Sequence, residues 1–100
     1  GITPVPADVV DGAATISITV GTDDFTTTGD RVVSVPLGTV VTVDVTAGEA
    51  QELHLHGYDV ETELEAGTPA SITFTADQAG LFDLESHTTE DVLLVISVEG

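Results

Sequence analysis

Arg31-Val32-Val33-Ser34-Val35-Pro36-Leu37-Gly38-Thr39-Val40-Val41-Thr42-Val43-Asp44-Val45-Thr46 reads as two extended segments around a tight connection. Valine and threonine fill Arg31 to Val35 and Thr39 to Thr46, and β-branched side chains suit a pleated strand better than a helix. Pro36-Leu37-Gly38 between them supplies turn residues. In the second segment Val41, Val43 and Val45 fall on one face, the period of two expected of a strand buried on one side.

The same signal repeats outward along the chain. Ala14 to Val20 alternates Ile16, Ile18 and Val20 against Thr15, Ser17 and Thr19, and Gly21 to Asp24 breaks it. Gln51 to His56 follows Gly48. Tyr58 to Leu64 alternates Asp59, Glu61 and Glu63 against Val60, Thr62 and Leu64, an acidic face that also discourages edge-to-edge pairing. Ala66-Gly67-Thr68-Pro69 turns the chain into Ala70 to Thr75, with Ile72 and Phe74 inward, and Asp77 to Gly80 is a further turn. Leu81 to Ser86 and Val92 to Val98 complete the set. Ala76 to Ala79 leaves room for one helical turn and no more.

About eight short strands with regular punctuation predict an all-β fold: an antiparallel or mixed Greek-key β-sandwich or barrel. Its core is expected to be aliphatic, since the chain has four aromatic residues and no tryptophan. Residues 1–12 carry two prolines and no periodicity. They are expected to be a linker or tag remnant, leading from an anchor or a parent chain, with 13–100 as the folded domain.

One hundred residues make one domain, able to bury about two-thirds of its unfolded surface without a staple. Cysteine and methionine are both absent, so thiol chemistry and soft sulfur ligands are excluded. The formal net charge is -17, and Arg31 is the only lysine or arginine. Such a surface repels nucleic acid and anionic membranes, stays well solvated, and concentrates cations nearby. Neither a secretory apolar region nor a run long enough to span a bilayer occurs, so no insertion into a membrane is expected.

All three histidines lie in two alternations, His54-Leu55-His56 and Glu85-Ser86-His87. On a strand each alternation aims two metal-ligating side chains the same way, with Cβ atoms about 6.5 to 7 Å apart, a span that two imidazoles can close onto one ion. Leu53, Leu55, Phe82 and Leu84 mark the opposite, core-facing side, so the ligand faces point away from the core, toward a strand end or rim. Asp83 shares the face of Glu85 and His87; it reads first as a solvent-facing strand residue, and otherwise as a spare carboxylate or a partner that orients an imidazole. Ser86 and His87 are adjacent and face opposite sides, which disfavours a hydrolase. No carboxylate pair stands out from the acidic background, and no enzyme is expected. Asp23-Asp24 is a thin basis for a calcium site. A structural or adhesive β-sandwich module, with incidental histidines, is the alternative reading.

The run His54-Leu55-His56-Gly57-Tyr58-Asp59, the turn Ala66-Gly67 before Ser71-Ile72-Thr73-Phe74-Thr75-Ala76, and Gly80-Leu81-Phe82-Asp83-Leu84-Glu85-Ser86-His87 resemble the metal-site half of the cupredoxin fold. Leu93 to Val98 resembles its closing strand. The likeness covers roughly residues 14 to 99 as architecture and is specific over 52 to 98. It implies a mid-chain ligand at His54 or His56 and a later one at His87. Glu85 then stands where the family's cysteine is expected, and no methionine exists to bind axially, which rules out a blue copper centre. The chain resembles the cysteine-less cupredoxin-like domains of secreted bacterial proteins, which implies an extracytoplasmic setting. Three imidazoles and a carboxylate suit Cu(II), or zinc, while Cu(I) is poorly held without sulfur. The expectation is that His54, His56, Glu85 and His87 hold one Cu(II) for storage, scavenging or delivery.

Overall fold

A computed structural model describes residues 3–20, 32–88 and 90–100. Nine strands form among them: β1 (Val5–Pro6), β2 (Ala13–Val20), β3 (Val32–Pro36), β4 (Val40–Ala47), β5 (Gln51–Leu55), β6 (Val60–Leu64), β7 (Ala70–Thr75), β8 (Gly80–Ser86) and β9 (Val92–Glu99). They make a six-stranded sheet in the order β1-β3-β9-β8-β5-β6 and a three-stranded sheet in the order β2-β4-β7. The chain crosses between sheets repeatedly, so strands adjacent in sequence often lie in different layers. The result is a β-sandwich of mixed pairing. β2 runs parallel to β4 and β3 parallel to β9, while β4–β7, β5–β6, β5–β8 and β8–β9 are antiparallel.

Alternation explains which side of each sheet is apolar. Ile16, Ile18, Val20, Val41, Val43, Val45, Ile72 and Phe74 of the smaller sheet face Val33, Val35, Leu53, Leu55, Leu84, Leu94 and Ile96 of the larger one, and all are buried. Their removal from water, at about 25 cal/mol per Å² of apolar surface, is the main favourable term. Among the described residues there is no helix. Ala76–Ala79 is irregular because the Tyr58 hydroxyl donates to the Gln78 carbonyl and accepts from the Gln78 N–H, both at 3.1 Å.

Part of the segment expected to be a linker lies in the sheet. Val5 and Pro6 pair with Val33 and Ser34, and the Ala7 N–H donates to the Ser34 carbonyl at 2.9 Å. A proline fits there because β1 is an edge strand, where a missing N–H interrupts no ladder. Val10 and Ala13 exchange hydrogen bonds of 2.9 and 3.0 Å across Asp11-Gly12, whose φ angles of 52° and 79° are those of a tight hairpin turn. Arg31, Asp23 and Asp24 lie outside the described residues.

Candidate metal centre

The register of β5 against β8 builds the site. His54 pairs directly with Glu85. One step along each strand from that ladder, the His56 N–H donates to the Asp83 carbonyl at 2.9 Å, and at the other end the His87 N–H donates to the Glu52 carbonyl at 2.8 Å. Three successive outward pairs therefore each set a histidine against a carboxylate. Leu53, Leu55, Leu84 and Ser86, on the alternate positions, are buried on the inner face. The residues thus point away from the core, as their alternation predicts, with His56 one residue past the end of β5 and His87 one residue past the end of β8.

The side chains converge further than the backbone register requires. His54, His56 and Glu85 each present a ligand atom within 4.8 Å of the others. The His56 ring crosses diagonally to hydrogen-bond Glu85 Oε1 through Nε2, rather than meeting Asp83 directly across. His87 stands outside that triad, yet its Nε2 is 3.5 Å from the same Glu85 oxygen. The His54 ring lies between the other two, with centroids 4.8 Å from His56 and 5.1 Å from His87. Side-chain exposure rises from 15% at His54 and 26% at Glu85 to 41% at His87 and 55% at His56, so the cluster has a closed floor and an open mouth.

His54 also carries a buried Nδ1 with no hydrogen-bond partner. Leaving such a nitrogen unpaired costs about 1–3 kcal/mol. A divalent cation bonded at about 2.0–2.1 Å satisfies an imidazole lone pair, and the surrounding nitrogen and oxygen donors match Cu(II) and Zn(II). The residues present therefore fit such an ion by donor chemistry and by spacing.

Several carboxylates near the histidines escape a sequence reading. Glu52 Oε1 is 3.6 Å from His87 Nδ1, and Asp59, at a φ of 53°, brings Oδ1 to 3.8 Å from His54 Nε2. Glu61 pairs with His54 on the other side, across β5 and β6. Glu52 carries one legible signal: it shares the period of two with His54 and His56. Asp83 contributes its backbone carbonyl to His56 and lies outside the convergent triad.

A two-sheet sandwich with this strand order is a cupredoxin-like fold, and solved structures share it. A copper-binding protein, whose apo form was solved by NMR, matches 99% of this chain over 100% of its own at 15% identity and a TM-score of 0.73. The metal-binding domain of the Streptococcus pneumoniae D39 Cu(I)-exporting P-type ATPase CopA, solved with Cu(I), matches 100% of this chain over 99% of its own at 11% identity and a TM-score of 0.78. A purple cupredoxin from Nitrosopumilus maritimus aligns over 84% of this chain and 99% of its own, with 13% identity and a TM-score of 0.54. No protein-family model matches the chain, and neither does any curated protein. The fold is therefore cupredoxin-like, built in this chain without any cysteine.

Proposed function

We propose that this chain is a copper-binding cupredoxin-like protein that holds one Cu(II), with Zn(II) as the second choice, through His54, His56, Glu85 and His87. The observation that carries the reading is the convergence of His54, His56 and Glu85 within 4.8 Å, beside a His54 Nδ1 that is buried and unpartnered. His87 completes the set by a small rotation toward Glu85. The likeness to copper-binding folds supports copper as the metal.

The donor set supports one oxidation state over the other. A chain without sulfur ligands binds Cu(I) weakly, whereas imidazole and carboxylate favour Cu(II). Rapid one-electron cycling is disfavoured for the same reason, which supports storage, scavenging or delivery of Cu(II) over catalysis. Copper persists as Cu(II) in oxidising surroundings, so the proposed location is outside the cytoplasm.

Copper titration followed by electron paramagnetic resonance tests the reading. The expected spectrum is type 2 and rich in nitrogen coupling, changed in H87A and lost in H54A. Affinity falls as the pH is lowered, because protons compete with the ion for the imidazole lone pairs. An aqueous copper signal that persists at all protein concentrations overturns the reading in favour of a structural module.

A further inference from the structure

We propose that Glu52 is a positioning residue for the metal site: it accepts a hydrogen bond from His87 Nδ1–H and so turns Nε2 toward Glu85. The inference rests on the copper site proposed above.

The geometry divides the two nitrogens of the His87 ring between two carboxylates. Nδ1 is 3.6 Å from Glu52 Oε1, and Nε2 is 3.5 Å from Glu85 Oε1. Both separations exceed a hydrogen bond, so closing the Nδ1 contact takes a small shift of the ring or of the Glu52 side chain. An ion bonded to Nε2 forces the proton onto Nδ1, and the acceptor within reach there is Glu52. Carboxylates that take this second imidazole proton fix the tautomer and ring orientation and raise the basicity of the ligating nitrogen.

Main-chain bonds hold Glu52 in place for the task. Its carbonyl accepts from the His87 N–H at 2.8 Å, and its own N–H donates to Thr88 Oγ1 at 3.0 Å. The Glu52 and His87 side chains are therefore cross-strand neighbours even where β8 gives way to the following turn. On its other side Glu52 pairs with Glu63, a like charge directly opposite. That repulsion favours the rotamer in which Glu52 leans toward His87. Glu52 does not share the ion, since its oxygen faces the nitrogen remote from Glu85.

Competition titrations of Cu(II) against a chromophoric chelator test this with E52A, E52Q, H87A and the double variant E52A/H87A. E52A is expected to weaken binding about 10- to 100-fold, the usual effect of removing a carboxylate behind a ligating histidine. The thermal midpoint of the metal-free protein stays where it was, because an exposed pair of this kind adds little to folding. E52Q recovers most of the loss, since its amide oxygen still accepts from Nδ1–H. In the H87A background E52A adds no further loss. Wild-type affinity in E52A, an E52Q loss equal to that of E52A, or an undiminished E52A effect without His87 each overturns the positioning role. Failure of the wild type to bind Cu(II) overturns the site itself and is read separately from these comparisons.

Discussion

At His54 the functional and the structural demands on one side chain conflict. Its ring packs over the sheet with the Nδ1 buried and unpaired, which penalises the metal-free fold. Leucine at this position removes the unpaired nitrogen and keeps a comparable volume. H54L is therefore expected to melt no lower than the wild type when both are free of metal, and to lack the rise in midpoint expected of the wild type with Cu(II). That rise corresponds to about 2.7 kcal/mol at a free ion concentration of 100 Kd. Differential scanning calorimetry with and without copper checks both halves, and a metal-free H54L that melts well below the wild type refutes the account. The pairs His54/His56 and Glu85/His87 were legible from the sequence because strand period aims each pair one way, while their joining into one proposed site came from the family resemblance. For Glu52 only the shared period was legible; its proposed role depends on the register of β5 against β8, and register is a relation between distant segments that neither segment encodes alone.

The elements that aim these side chains are irregular where the site needs it. Leu84 pairs with Leu94 but Glu85 pairs with Val92, so β9 carries one extra residue, Leu93, opposite the step from Leu84 to Glu85. Such bulges bend a strand and redirect its side chains, and they recur beside functional sites. Leu93 and Leu94 are both fully buried, a break in alternation that the unbroken apolar run of the closing strand conceals in the sequence. Strand β1 was concealed differently: two prolines suit a linker, and only the edge position of β1 accommodates Pro6 in a sheet. At the other end of β5, Gly57 turns the chain at a φ of 91° with the Phe82 ring against it, leaving 2.5 Å between an added Cβ and Phe82 Cδ1. G57A combines a left-handed backbone with a clash on a ring already packed against Tyr58 at 4.6 Å. It is expected to lower stability by about 1–3 kcal/mol. It also weakens Cu(II) binding, because His56 immediately precedes the turn. Urea denaturation and copper titration on the same variant check this, and unchanged values for both refute it.

Charge acts over the whole molecule and in two opposing directions. A formal -17 is carried by a particle with a radius of gyration of 12.6 Å. At about 0.01 M salt the screening length is about 30 Å, longer than that radius, so every carboxylate repels nearly every other. At about 0.15 M it is about 8 Å, and only near neighbours such as Glu52 and Glu63 still interact strongly. Self-repulsion penalises the compact state, whereas the same field draws divalent cations toward the protein. Adding potassium nitrate should therefore raise the thermal midpoint of the metal-free protein while slowing its capture of Cu(II). About 1 kcal/mol of relieved repulsion corresponds to a rise of roughly 4–8 °C for a domain of this size. Stopped-flow association rates are expected to fall severalfold over the same salt range. Parallel calorimetry and stopped-flow series check the pair of signs. A midpoint that falls with salt, or a capture rate indifferent to it, removes the electrostatic account of why so acidic a surface surrounds this seam of histidines.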